Sequence, residues 1–190
     1  DYIEAGSEVI TTNTFASSRL MLSPAGYGEQ VEEINRRAVE AALKARDKSS
    51  RKTSVAIAGS LSHMIPMAGG TDLTDPSKFP DDLEAANAFQ ELAQILSTSG
   101  CDLIILEMMY HPKRTLLALN ASLATGLPVW CGLSVRKGKD GTIASYQRPE
   151  ELPLNELASL IPGHGGILDR LDSLVFTVVG IYYLRIWSIS

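Results

Sequence analysis

Four short runs of β-branched or apolar residues are separated by three amphipathic stretches. That alternation restricts the chain to an α/β fold with a parallel sheet. Glu8-Val9-Ile10-Thr11-Thr12-Asn13 follows a glycine stop and reads as the first strand. Residues 29–46 place Val31, Ile34, Ala38, Ala41, Ala42 and Ala45 on one helical face, opposite charges. Ser54-Val55-Ala56-Ile57-Ala58-Gly59 is a second strand. Residues 82–98 set Leu83, Ala86, Phe89, Ala93 and Leu96 on another helical face, and Gly100 ends it. Asp102-Leu103-Ile104-Ile105-Leu106-Glu107 has an apolar interior, as a strand covered on both faces requires. Pro112 opens a third helix over 112–125 that Gly126 closes, and Pro128-Val129-Trp130-Cys131-Gly132-Leu133-Ser134 is a fourth strand.

A doubly wound sheet and a (β/α)₈ barrel both satisfy this pattern. No Gly-x-Gly-x-x-Gly follows the first strand, which argues against dinucleotide binding. The net charge of −5, with scattered basic residues and few aromatics, argues against a nucleic-acid surface. Two cysteines, Cys101 and Cys131, make no disulfide framework and suit a reducing cytoplasm. The acidic first residues lack the apolar core of a signal peptide. The chain lacks an initiator Met and opens on what reads as a helix ending at Gly6, so the expectation is a fragment. The loop from Leu61 to Asp81 is long for a strand-to-helix connection, and loops of that length tend to carry function or disorder.

Chemistry in parallel α/β folds sits at the carboxyl ends of strands. Here those ends read Asn13-Thr14, Gly59-Ser60, Glu107 and Ser134. Glu107 is the sharpest, because it follows an apolar run where an unpaired carboxylate is costly. A ligand ammonium would answer it. A salt bridge to a neighbouring loop, or plain solvation, would answer it equally.

These segments carry a resemblance. Tyr2-Ile3-Glu4-Ala5-Gly6 running into Val9-Ile10-Thr11-Thr12-Asn13-Thr14-Phe15 resembles the second strand of the homocysteine S-methyltransferase family. Ala58-Gly59-Ser60-Leu61, Asp102 to Glu107, and Pro128 to Ser134 match it in order and spacing over roughly residues 1–160. The resemblance implies a partial (β/α)₈ TIM barrel of about four units and methyl transfer from a donor to the thiol of homocysteine. It implies that Thr14 contacts the homocysteine carboxylate, that Glu107 holds its amino group, and that Asn13 lines the site. A zwitterion needs donors at one end and a carboxylate at the other.

The family uses zinc, held by three cysteines, to present the sulfur as a thiolate. This chain has no adjacent cysteine pair. Cys101 opens a strand at its amino end and Cys131 lies inside one, so both read as small core residues and zinc is not expected to bind. His63 and His111 fall on loops and read as surface residues. The resemblance leaves the family's first strand and last three units unmatched, so the expectation is a truncated domain, inactive alone. Whether a complementing chain or an oligomer supplies the rest is left open.

The pattern changes near Ile161–Pro162. Gly163-His164-Gly165-Gly166-Ile167-Leu168-Asp169-Arg170-Leu171-Asp172-Ser173 resembles the end of the phosphatidate cytidylyltransferase signature, a membrane enzyme family making CDP-diacylglycerol. That resemblance implies Asp169 and Asp172 as divalent-cation residues, with Mg²⁺ suited to hard oxygen ligands. The apolar run Leu174–Leu184 follows, read as an apolar C-terminal helix. It is interrupted by Arg185 and falls short of the roughly 20 residues a spanning helix needs. Phe176, Tyr182, Tyr183 and Trp187 would allow peripheral membrane contact by an otherwise cytoplasmic chain. The expected division is therefore a barrel domain over 1–160 and a tail over 161–190, joined by a gene fusion or an assembly error. A membrane lipid-enzyme fragment and a non-catalytic interaction module are the alternative readings.

Overall fold

The computed structural model describes residues 2–67, 69, 75–137 and 143–145. Residues Asp1–Ser134 make one unit and Val135–Ser190 a second. In the first, β1 (Val9–Thr11), β2 (Ala56–Leu61), β3 (Leu103–Met109) and β4 (Val129–Leu133) form a parallel sheet in the order β1-β2-β3-β4. Between them run α1 (Arg19–Leu22), α2 (Val31–Lys48), α3 (Asp82–Thr98) and α4 (Pro112–Leu123). In the second unit, β5 (Val135–Lys137) and β6 (Ile143–Ser145) pair as an antiparallel hairpin. The tail residues Asp169 and Asp172 and the expected apolar helix lie outside the described residues.

The sheet decides between the two architectures that the alternation allowed. A doubly wound sheet reverses its strand order and spreads its helices over both faces. Here the order never reverses, and α2 packs on α3 and α3 on α4. Consecutive helices in mutual contact form one layer on one face, as in a singly wound fold. Ile57, Leu61, Ile104, Leu106 and Met109 are fully buried, and so are Phe89, Leu92 and Leu96 of α3. Gly59 marks where the layers approach most closely. A Cβ there would meet Leu96 Cβ at 3.0 Å and Cys101 Sγ at 3.1 Å.

The helices start and stop where local chemistry directs. The Asp81 carboxylate accepts the Glu84 N–H at 2.9 Å and caps α3. Gly100, at φ 104°, ends α3 with its N–H on Ser97 O, while Cys101 N–H reaches Leu96 O. The same pair of bonds, Gly6 N–H to Ile3 O and Ser7 N–H to Tyr2 O, precedes β1, so the opening residues have the bonding of a helix terminus. Glu32 and Glu33 sit in the first turn of α2, Arg46 and Lys48 in the last, as its dipole favours.

Two apolar faces read from the sequence need correction. Leu83 is 71% exposed, and α3 instead buries Ala85, Ala88 and Leu92 beside Phe89, Ala93 and Leu96. On α2 the buried positions are Val31, Asn35 and Val39, while Ala41 and Ala45 are exposed. Asn35 breaks the apolar pattern because its amide is fully bonded. Its Nδ2 donates to Ser17 O at 2.9 Å and Val31 O at 2.8 Å, and its Oδ1 accepts from the Ser17 hydroxyl. That set ties the loop after β1 to α2. Asn35→Leu removes the amide donor from the buried Ser17 carbonyl, while the Ser17 hydroxyl keeps Thr14 O at 2.9 Å, and should cost about 1–3 kcal/mol, read as a lower urea midpoint at unchanged slope.

Candidate functional site at the strand ends

The carboxyl ends of β1, β2 and β3 are joined by side chains as well as by the ladder. Thr14 Oγ1 donates to Ser60 O at 2.6 Å. That bond uses its one proton, so in the 2.7 Å contact between Thr14 Oγ1 and Thr12 Oγ1 the Thr12 hydroxyl is the donor. Thr12 Oγ1 in turn accepts the Ser60 N–H at 3.1 Å. Thr12, Thr14 and Ser60 are all buried.

Thr14, which the resemblance puts at the homocysteine carboxylate, has its hydroxyl and its N–H bonded within the protein. Thr14 is fully buried, its hydroxyl is engaged, and its N–H is on Thr12 O at 2.9 Å. Asn13, one residue earlier, is exposed. The alternation of the chain thus turns the amide of Asn13 outward and the Thr14 hydroxyl into the sheet.

Glu107 is half-buried on the sheet face away from the helices. Burial raises its pKa above the ordinary carboxylate value, and the neighbouring Ser60 hydroxyl pulls it partly back. Ser60 Oγ is itself buried without a hydrogen bond of ordinary geometry among the described residues. No ion pair joins Glu107 among those residues either. The carboxylate therefore carries a desolvation cost that a bound cation would offset. A raised folded pKa means that stability falls as pH rises through the interval between the unfolded and folded values. Glu107→Gln should then raise the melting temperature at pH 7, with the gain shrinking as pH approaches 4. Paired thermal melts across that range check it.

Trp130 shares this face. It pairs in register with Ile105 and is 42% exposed, so the open side of the sheet carries an aromatic ring as well as a carboxylate. Nothing in the periodicity of the fourth strand separated Trp130 from its core neighbours.

His63 is a correction to the surface reading. It is 1% exposed, because the segment after β2 turns inward beneath the end of β3. Its Nε2 accepts the Tyr110 N–H at 3.1 Å and the His111 N–H at 3.4 Å, and its ring meets Tyr110 edge-on with centroids 4.3 Å apart. Burial lowers its pKa to about 3. His111 caps α4, its Nδ1 accepting the Arg114 N–H at 3.5 Å. Arg114 lies 3.3 Å over the Phe79 ring. Since His63 is neutral in the fold and protonated when unfolded, its stabilisation is lost as pH falls from about 6.5 towards about 3. His63→Gln should flatten the pH dependence of the urea midpoint in that window, at the cost of a lower midpoint at pH 7.

The cysteines do not fit a zinc site. Cys101 is buried against Gly59 at the amino end of β3, its thiol pushed up to about 12 by burial. Cys131 is half-buried on β4, and burial pushes it up to about 11. Burial disfavours the thiolate form of both sulfurs, and they stand on separate strands. Among the described residues no group of three or more His, Cys, Asp or Glu could hold a metal ion. No described helix is long and apolar enough to cross a membrane.

Comparison with known proteins gives two separate matches. Residues 1–160 match the family model described as Homocysteine S-methyltransferase, and residues 155–187 match that of the Cytidylyltransferase family. The metallated form of the homocysteine methyltransferase MmuM from Escherichia coli superposes with a TM-score of 0.61 at 21% identity, over 86% of this chain and 57% of that one. At that identity the likeness is one of fold. The uncharacterized protein YnbB of Escherichia coli K12 is 36% identical over 83 residues, 43% of this chain and 25% of its own length. Phosphatidate cytidylyltransferase of Helicobacter pylori is 45% identical over 39 residues, 18% of this chain and 15% of its own. The chain thus spans a quarter or less of these curated relatives.

Proposed function

The chain belongs to the homocysteine S-methyltransferase family, and from that premise we propose that residues 1–160 are part of a (β/α)₈ barrel whose strand ends hold the amino-acid end of homocysteine. The observation that carries this reading is Glu107, a half-buried carboxylate on the open face with no cationic partner among the described residues. It takes the ligand ammonium in a charge-assisted hydrogen bond. The exposed amide of Asn13 meets the carboxylate end, and Thr14 fixes the Asn13 segment against β2 from within. Zinc would supply the thiolate form of the substrate sulfur in this family. Cys101 and Cys131 are committed to packing, so this chain alone binds the amino acid without transferring a methyl group, and the methyl donor stays unassigned.

Titration calorimetry of the 190-residue chain with L-homocysteine under reducing conditions tests it. Binding should weaken about ten-fold or more in Glu107→Gln and less in Asn13→Ala. The des-amino analogue of homocysteine should bind equally weakly to wild type and Glu107→Gln. Equal homocysteine affinity in wild type and Glu107→Gln overturns the assignment. Elemental analysis of the purified chain should find zinc far below one per molecule. Stoichiometric zinc would contradict the packing role given to the cysteines.

A second reading attaches to residues 161–190 as a separate cytidylyltransferase-like segment, supported by the match over 155–187. In it Asp169 and Asp172 hold Mg²⁺ and residues 174–187 touch the membrane surface. Sedimentation with anionic vesicles, with and without residues 174–187, tests the membrane contact. Equal sedimentation of the two chains removes it.

A further inference from the structure

β3 holds one residue more than its partner can match. Leu106 pairs with Cys131 and Met109 with Leu133, so three steps along β3 stand against two along β4. The additional residue is a β-bulge. Met108 stands in it at φ 55°, the one non-glycine residue with positive φ among those described. A long L side chain rarely occupies that region, and such a conformation persists only where its surroundings over-determine it.

The surroundings do so here from both sides. Before the bulge, Ile104, Ile105 and Leu106 are in register with Val129, Trp130 and Cys131. After it, Met109 O accepts the Ser134 N–H at 2.8 Å, and the Tyr110 N–H is held by His63 Nε2 at 3.1 Å. The burial pattern records the result. Leu106 and Met109 are both fully buried, while Glu107 is half-buried and Met108 is 49% exposed. A regular strand alternates sides, so it would put residue 109 on the same face as Glu107. The bulge instead returns Met109 to the helix-covered face and leaves two consecutive residues at the open rim.

We infer that Met108 is a positioning residue: its left-handed backbone, clamped between the β4 ladder and His63, sets where the Glu107 carboxylate stands at the rim. The inference rests on the reading of Glu107 as the ammonium partner, and it deepens that reading by naming what aims the carboxylate. His63 has its place in the same device. The imidazole sits under the far side of the bulge and accepts the Tyr110 and His111 N–H groups at the irregular strand end.

Three variants test it. Met108→Val puts a β-branched residue where φ is positive and should force the bulge to rearrange. It should weaken homocysteine binding by about ten-fold or more. It should also return the Glu107 titration, followed by carboxyl ¹³C NMR and assigned through Glu107→Gln, towards the ordinary carboxylate range. Met108→Gly accepts the left-handed backbone freely. It should rescue binding to within about three-fold of wild type, keep the raised Glu107 titration, and raise the melting temperature by a few degrees. Unchanged binding and titration in Met108→Val overturn the inference. So does a Met108→Gly protein that loses the raised titration, since the side chain and not the backbone would then be responsible. Where Met108→Val does not fold, Met108→Gly decides alone. Should wild type itself bind no homocysteine, the ammonium reading fails, and the Glu107 titrations still judge the positioning role separately.

Discussion

Thr14 has a single hydroxyl proton, and where that proton goes governs the top of the sheet. β1 is only three residues long, and so short an edge strand has little ladder with which to hold its register. Side chains extend the pairing beyond the ladder. The Thr14 proton goes to Ser60 O, the Thr12 proton to Thr14, and the Ser60 N–H to Thr12. The links are buried and mutually dependent, which strengthens each of them. They place the ends of β1 and β2 at one level beside Glu107. Asn35 then fastens the loop that follows to α2, so the rim is held from the helix layer as well as from the sheet.

Desolvation acts in opposite senses on two titratable groups near this rim, Glu107 and His63. It raises Glu107, whose charged form loses water, and lowers His63, whose charged form is its protonated one. The consequences differ because the partners differ. His63 is paid for by two backbone N–H donors and stays neutral as a structural acceptor. Among the described residues Glu107 has only a nearby hydroxyl, which leaves its carboxylate to a cation arriving from outside. One fully buried and one half-buried group thus divide into a support and a contact.

The elements of the fold were legible because they rest on local signals. The helix expected over 82–98 is Asp82–Thr98 in the structure, ended at Gly100 as the sequence indicated and capped by Asp81. The other two expected helices and the four expected strands fall within about two residues of expectation, the usual scatter of element ends, while α1, β5 and β6 had no counterpart in the sequence reading. Sequence periodicity did not separate a singly from a doubly wound sheet, since both use the same alternation. That distinction lies in which helix touches which. Glu107 was legible because a charge at the end of an apolar run breaks a pattern. His63, Asn35 and the inward turn of Thr14 were not, because a polar residue becomes buried only when distant backbone groups arrive to satisfy it. The Met108 bulge is likewise a property of two strands, and the sequence of one does not announce it. Leu83 misled for the opposite reason, an apolar residue on the first turn of α3 that overhangs the layer it was expected to join.

The close approach at Gly59 has a consequence for how this molecule reports its own motions. Cys101 Sγ is wedged where any added atom on β2 would collide, and it is protonated as well as hidden. A thiol reagent needs both contact and a thiolate, so Cys101 reacts only when α3 lifts from β2 and solvent enters between them. Cys131, half-buried on β4, meets reagent through a smaller opening. The two sulfurs therefore stand at different depths in one chain, Cys101 under the helix layer and Cys131 on β4, and reagent reaching Cys101 requires the larger opening of the two.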